Sequence, residues 1–453
     1  MNFFDELVIP PSHNHVMLLK YMLTISLLLF IPYISMMLGA TFISTHFSKK
    51  GKTEGNNLFH RFAKDIVEKL TITKSAELAL GTIPALSTFF AYAQLLYTAK
   101  TISVGMLALA VVLFIISFVF IYKYRNTFKL EGIMKAFKSI SNTEALKSDT
   151  DDAKEIKEFE ETNVAVNRTS GTVGKWLLLT ASYIFAGTMA LASSPDKWGT
   201  TGNVLQIIFS WQTLFSFMAL ISLAGIITGA AIMFFFFSWN GGVKHMDDSY
   251  AALVKGVAGK IALASGIMFP LMLLISYAYM PQVSQSPTVF YYMVVVLIIS
   301  LILGNFIYSM FKNSDTSSAT VVFVLVFVLV TFNVIKDQLA FGNAIQQNTT
   351  EITKIAEEHE KEIKGKTMGS TGIDAEAIFT QKCSACHKFD QKLVGPPYNE
   401  TVLKYNGDVQ KLADYIFNPQ KIDPAYPPMP NQGLKKKEAN AMAKWLMDKV
   451  NKK

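Results

Sequence analysis

The sequence predicts an all-α protein, in which a polytopic helical membrane bundle of about eight spans precedes a small C-terminal domain. Of its 453 residues, 51% are hydrophobic and only 17% are charged, fewer than the roughly 25% typical of soluble domains. Eight apolar runs are long enough for a bilayer, which takes roughly 20 residues to cross. The last part of the chain is polar and holds both cysteines. We therefore predict a membrane domain over 1–335, a linker over 336–373 and a C-terminal domain over 374–453.

The predicted spans follow a short polar start, 1–15, that lacks the positive charge and small-residue cleavage site of a signal peptide. In chain order they are 16–42, 76–96, 104–122, 176–192, 212–239, 260–280, 289–311 and 320–335. The last run is strand-like by propensity. An isolated strand would leave its backbone unpaired in lipid, so we predict a helix there as well.

Three polar segments separate or follow these spans. In 45–75, Phe59, Phe62, Ile66 and Leu70 recur at helical spacing beside basic residues, which predicts an amphipathic helix at the membrane interface. The stretch 123–175 is rich in Lys, Asp and Glu and predicts a solvated loop with room for a charged helix. The linker 336–373 suits either a plain tether or a docking helix, and it ends in a flexible joint at 367–372.

Cys383, Cys386 and His387 form the attachment motif of c-type haem, two cysteines three apart followed at once by histidine. At that spacing both thiols reach the two vinyl groups of one porphyrin, and the imidazole then sits under the iron. These are the only two cysteines of the chain, so no disulfide or four-thiolate metal site competes for them. The alternative, two free core cysteines beside a surface histidine, leaves the spacing unexplained.

The segments that follow, Gly-Pro at 393–398, Pro-Met-Pro at 426–430 and a last helical run to 446, resemble a class I cytochrome c. The resemblance implies one covalently bound haem c, with His387 as the proximal iron ligand and Met429 as the distal one. It also implies that a prolyl carbonyl, that of Pro396, orients the His387 ring. Such ligation leaves no open iron position and suits electron transfer. Met442 and Met447 are rival ligands, but their amphipathic helix makes them packing residues.

The resemblance also sets an expected orientation, because haem of this type is attached outside the cytoplasmic membrane. Eight spans then place both termini outside. The four segments that would face the cytoplasm hold 20 Lys and Arg, and the four outer segments hold 2. This bias follows the positive-inside rule. The same bias accounts for the formal charge of +8, so nucleic-acid binding is not needed to explain it.

Cofactors inside the membrane are a separate hypothesis. None of His13, His15, His46, His60, His245 and His359 lies at the centre of a predicted span. A b-type haem at either edge and a quinone site remain open alternatives. Glu77 is the main candidate for a quinone or proton site, because charges at membrane depth are costly. A structural ion pair of Glu77 with Lys74 or Arg61 is the simpler interpretation.

The membrane part resembles the large subunit of cytochrome bd quinol oxidases in architecture only, over about 120 residues. It lacks the signature of the membrane urate oxidases, so no site is transferred from either family. We predict a membrane-anchored mono-haem cytochrome that transfers electrons on the periplasmic face of a bacterial inner membrane. Its expected partners are lipid, other subunits of a respiratory complex, and a soluble cytochrome or terminal oxidase. The alternatives are a quinol-oxidising enzyme whose own membrane site feeds the haem, and a haem-linked transporter or sensor.

Overall fold

A computed structural model describes residues 11–140, 151–242, 246–313, 316–368 and 373–451. The described residues form helices joined by turns and contain no strand, so the all-α prediction is confirmed. The strand-like run before Ile335 is helical, as expected for a backbone that must satisfy its own hydrogen bonds in lipid. The described chain divides into two compact units, one ending at Ile352 and the other starting at Thr353.

Eight helices of the first unit are long and apolar enough to cross a membrane, which confirms the predicted number. They are α1 (His13–Glu54), α3 (Lys74–Leu95), α4 (Ser103–Ile140), α5 (Asp151–Ala192), α7 (Trp211–Ser238), α8 (Asp248–Ala278), α9 (Pro287–Asn313) and α10 (Ala319–Ala344). The shorter helices are α2 (Asn57–Leu70), α6 (Val204–Ile208) and α11 (Gln346–Met368). In the second unit, α12 (Ala375–Ile378), α13 (Tyr398–Thr401), α14 (Val409–Phe417) and α15 (Lys436–Asn451) follow.

The polar stretch 123–175, predicted as a solvated loop with room for a charged helix, is helical over most of its described length. Helix α4 continues to Ile140, and α5 begins at Asp151. The two helices are tied together beyond their apolar parts, because Asn167 Nδ2 donates to Thr127 Oγ1 at 2.7 Å. Lys138 and Glu160 form an ion pair further along. Two charged helices that pair with each other therefore make up most of the described part of this stretch.

Helix α2 forms where the amphipathic pattern predicted it, but protein covers its apolar face. Phe62, Ile66 and Leu70 are fully buried. The Phe62 ring packs against Phe236 and Tyr250, at centroid distances of 6.1 and 6.4 Å. The bundle itself therefore supplies the apolar partner of this face, and the position of the helix at the membrane interface stays a prediction.

Small residues let the membrane helices approach each other closely. A Cβ atom at Gly39 of α1 would overlap Thr228 of α7, and one at Gly225 of α7 would overlap Ser265 of α8. Close contact through small residues is how helices associate in lipid, where no hydrophobic effect drives them together. Three neighbouring helices are thus packed through side chains no larger than threonine.

The last membrane helix extends beyond its predicted end. Helix α10 runs to Ala344 rather than to 335, and α11 follows after a single residue. The start of α11 is fixed to the end of α3, because Asn348 Nδ2 donates to the Leu95 carbonyl at 2.8 Å. The last four residues of the predicted joint, 369–372, lie outside the described residues.

Candidate functional site

Helices α12 to α15 build the unit that carries the Cys-x-x-Cys-His motif. Asp374 caps α12 and Asp408 caps α14, each accepting a hydrogen bond from a backbone N–H three residues on, the preferred arrangement at a helix N-terminus. Helix α15 buries Met442 and Leu446 against the apolar face of α14. This small core leaves an open crevice beside the motif.

The two cysteines lie where the first helix of this unit ends. A π-helical turn over Phe379–Cys383 extends α12 as far as Cys383. The Cys386 and His387 N–H groups both donate to the Cys383 carbonyl, at 3.1 and 3.0 Å. Both thiols are free. Burial raises the pKa of the Cys383 thiol, and Tyr398 partly offsets this effect through a hydrogen bond.

The His387 ring is held from two sides. Its Nδ1 lies 3.0 Å from the Pro396 carbonyl oxygen. A carbonyl only accepts, so Nδ1 carries the proton and Nε2 keeps the lone pair needed for a metal. The Tyr398 ring stacks on the imidazole at a centroid distance of 4.8 Å and an angle of 22°. The sequence motif contained Tyr398 but gave no hint of this contact.

A glycine is required at position 395, because the loop backbone lies directly against the His387 ring. The Gly395 N–H donates to the Cys386 carbonyl at 2.8 Å, which brings its backbone against the His387 ring. A Cβ atom at this position would overlap three atoms of that ring. The glycine of the Gly-Pro segment therefore permits the approach through which Pro396 reaches Nδ1.

The crevice has a volume of about 430 Å³ and brings the predicted site residues together: Cys383, Cys386, His387, Pro396 and Met429 all line it. Met429 lies in an extended segment outside any helix and is half-buried. The rival methionines Met442 and Met447 are buried within the core of the unit. Two thiols, an imidazole nitrogen and a thioether around one apolar crevice are a donor set that fits haem c.

Comparison with known proteins points to the same part of the chain. The family model described as cytochrome c matches residues 373–449. Cytochrome c-551 of Pseudomonas aeruginosa is 34% identical over 84 residues, which are 18% of this chain and 81% of that protein. Cytochrome c-551 of Pseudomonas denitrificans is 37% identical over 82 residues, 17% of this chain and 96% of that protein. The corresponding protein of Stutzerimonas stutzeri is 36% identical over 78 residues, 16% and 75% of the two chains.

The fold and the crevice define a small helical domain with the donors for one covalently attached porphyrin. Through this C-terminal domain the chain belongs to the cytochrome c family, and the predicted resemblance is confirmed. Membership implies covalently bound haem c and a role in electron transfer. The eight apolar helices make it a membrane protein.

The structure places the predicted membrane candidates in polar pairs. Glu77 accepts a hydrogen bond from the Thr82 hydroxyl on its own helix. Arg61 lies 3.6 Å from Asp65 and 3.7 Å from Asp247, with its guanidinium over the Tyr250 ring. His60 pairs with Glu131 at 3.0 Å.

The remaining described histidines lie at the surface of the protein. His13, His15, His46 and His359 are exposed, and His245 lies outside the described residues.

A second polar cluster was missed by the sequence analysis. Lys336 and Asp337 of α10 lie just beyond the end predicted for the last span, yet the helix continues through them. Their side chains form an ion pair of 3.0 Å, with the lysine side chain 5% exposed. The sequence feature that could have identified this cluster is the pair of adjacent charges at the end of an apolar run. We assigned that pair to the linker instead.

Proposed function

We propose that this protein is a membrane-bound cytochrome with one haem c per chain, transferring electrons on the periplasmic face of a bacterial inner membrane. The observation that carries the proposal is the crevice where Cys383, Cys386, His387 and Met429 meet. The single Cys-x-x-Cys-His motif supports one haem. The 20-to-2 distribution of basic residues supports an outer location for the crevice unit.

Each side chain of the crevice has a distinct role in this proposal. Cys383 and Cys386 would hold haem c through their thiols, and His387 Nε2 and Met429 Sδ would be its iron ligands. The Pro396 carbonyl fixes the tautomer and the rotation of the His387 ring. Haem c, when bound, supplies a centre that takes up and releases one electron. Histidine and methionine ligands together would suit electron transfer rather than oxygen chemistry.

The charge around the crevice favours an acidic redox partner. Lys382, Lys404, Lys411 and Lys421 line its edge, against a single carboxylate among its described lining residues, Asp423. Such a positive rim speeds encounter with a negatively charged surface and loses that effect in salt. We infer a soluble cytochrome or an oxidase subunit as the partner, within a respiratory complex that also contacts the membrane domain.

The test is haem content of the full chain purified in detergent. A haem-stained denaturing gel is expected to show a band near 50.4 kDa, and a pyridine haemochrome spectrum is expected to give one c-type haem per chain. Cys383→Ala combined with Cys386→Ala should abolish the stain, whereas Ser384→Ala, between them, should keep it. A stain that survives the double substitution, or a second haem equivalent of b type, would contradict the proposal.

A further inference from the structure

The membrane unit contains a cavity of about 160 Å³ between six of its helices, α1, α3, α5, α7, α8 and α10. Its walls are mainly apolar and aromatic and include Tyr92, Phe185 and Phe269, each at most 4% exposed. Ser216 and Ser276 also line it. A largely apolar cavity with a few polar groups is the usual form of a small-molecule site.

The most unusual group of this cavity is the Lys336 ammonium. The residue lies 17 positions after the start of α10, or about 26 Å along the helix at 1.5 Å per residue, near the end that the charge bias places outside. Its Nζ donates to Asn333 Oδ1 at 3.2 Å and pairs with Asp337 Oδ1 at 3.0 Å. A buried lysine in a membrane span is costly and marks a functional site by default.

The geometry of this cluster leaves one donor for a ligand. An ammonium group has three N–H donors, and among the described residues Asn333 and Asp337 accept two of them. Asn333 Nδ2 in turn donates to Asp337 Oδ2 at 3.2 Å, which holds the three side chains in one arrangement. The Asp337 side chain is 49% exposed, so the cluster connects the buried lysine with the surface.

Charge balance narrows the chemistry of the ligand. Asp337 already neutralises Lys336, so the cavity has no net positive charge to hold a phosphate or another anion. A neutral ring with carbonyl oxygens suits it better. One oxygen would accept from Lys336, and the ring would pack against Phe185 and Phe269. Lipid-soluble quinones have this chemistry, and they dissolve in the same phase as the helices that enclose the cavity.

We propose that this cavity binds the headgroup of a quinone, with Lys336 as the hydrogen-bond donor to one carbonyl oxygen. The site goes beyond the proposed function, because it lies wholly within the membrane unit and needs no haem. It differs from the Glu77 site considered from the sequence, since Glu77 is not among the residues that line this cavity.

The test is equilibrium binding of radiolabelled decyl-ubiquinone to the full chain in nanodiscs, with empty nanodiscs as the blank for partitioning. The expected result is saturable binding of one equivalent. Lys336→Gln should weaken it about ten- to a hundredfold, the range for losing one hydrogen bond to a charged group. Ser216→Leu, which narrows the cavity without changing charge, should also weaken it. The matched control is Lys312→Gln, an exposed lysine at the end of α9.

The possible outcomes distinguish a quinone site from a lipid-headgroup site and from non-specific partitioning. No saturable binding, or equal binding by all variants of unchanged melting temperature, would overturn the proposal. Displacement of the quinone by short-chain phosphatidylglycerol at equal concentration would assign the cavity to a lipid headgroup and also overturn it. If Lys336→Gln does not fold, Ser216→Leu alone decides. Because the oxidised quinone is bound without electron transfer, a chain that binds quinone but holds no haem contradicts only the proposed function.

Discussion

Replacing Gly395 with alanine should release His387 from the Pro396 carbonyl. The new Cβ would overlap the imidazole, so either the ring or the loop must move. Overpacking of this kind costs about 1–3 kcal/mol, and a lost hydrogen bond adds about 0.5–1.5 kcal/mol. We therefore expect the haem-loaded domain to lose about 1.5–4.5 kcal/mol of unfolding free energy. The redox potential should shift as well, because the ligand's hydrogen bond tunes the iron.

The assay is denaturant unfolding of the full chain in detergent, followed through the haem absorbance, together with a potentiometric titration. Gly407→Ala is the matched control. Gly407 has a φ of 81° and no atom within 4 Å of a built Cβ, so alanine there should cost about 1–2 kcal/mol through backbone strain alone. Its potential should remain that of the wild type. Equal potentials for wild type and Gly395→Ala would refute the argument that this glycine positions His387.

Further outcomes are expected at the iron ligand, the membrane and the thiols. Met429→Ala should remove the weak long-wavelength band of the sulfur–iron bond and lower the redox potential, whereas Met442→Ala should affect stability alone; the opposite pattern would reassign the ligand. Cysteines introduced at Ser139 and Ser286 should be labelled from the cytoplasmic and periplasmic sides respectively, and labelling of both from one side would contradict the eight-span topology. In haem-free protein, burial raises the pKa of Cys383 and leaves less thiolate at pH 8, so this thiol should be alkylated more slowly than in the unfolded chain; equal rates would argue against its burial.

Hydropathy was sufficient to predict the number and type of the membrane elements. Lipid offers no partner for a free backbone, so an apolar run of about 20 residues has one stable form there. The ends were harder to predict, because a charge interrupts the apolar pattern without ending the helix. Helix α10 continues nine residues beyond the predicted limit of 335, to Ala344. Because the predicted span ended at 335, Lys336 was assigned to the linker and its cluster was not predicted.

The sequence pattern of an amphipathic helix does not show whether lipid or protein covers its apolar face. The spacing of Phe62, Ile66 and Leu70 is the same whether lipid or protein covers the face, and the structure places it inside the bundle. The haem crevice was more predictable because the donor types and their order in the chain carry its chemistry. The stacking of Tyr398 on His387 was not predictable, since it depends on how the loop after Pro397 folds back onto the motif.

The small-residue rows of α7 and α8 bear on why the membrane domain is so large. Small residues let helix backbones approach closely, either within one chain or between two subunits. In the structure, Gly225 lies against Ser265, and Gly229 lies against Ala262. These four residues are thus used within the chain, whereas Gly256 and Gly266 of α8 have no atom within 4 Å of a built Cβ. Eight spans still exceed what an anchor needs, and the Lys336 cavity requires walls from six of these helices. A bundle of this size is therefore explained in part by the need to enclose a binding site, independently of any further subunit.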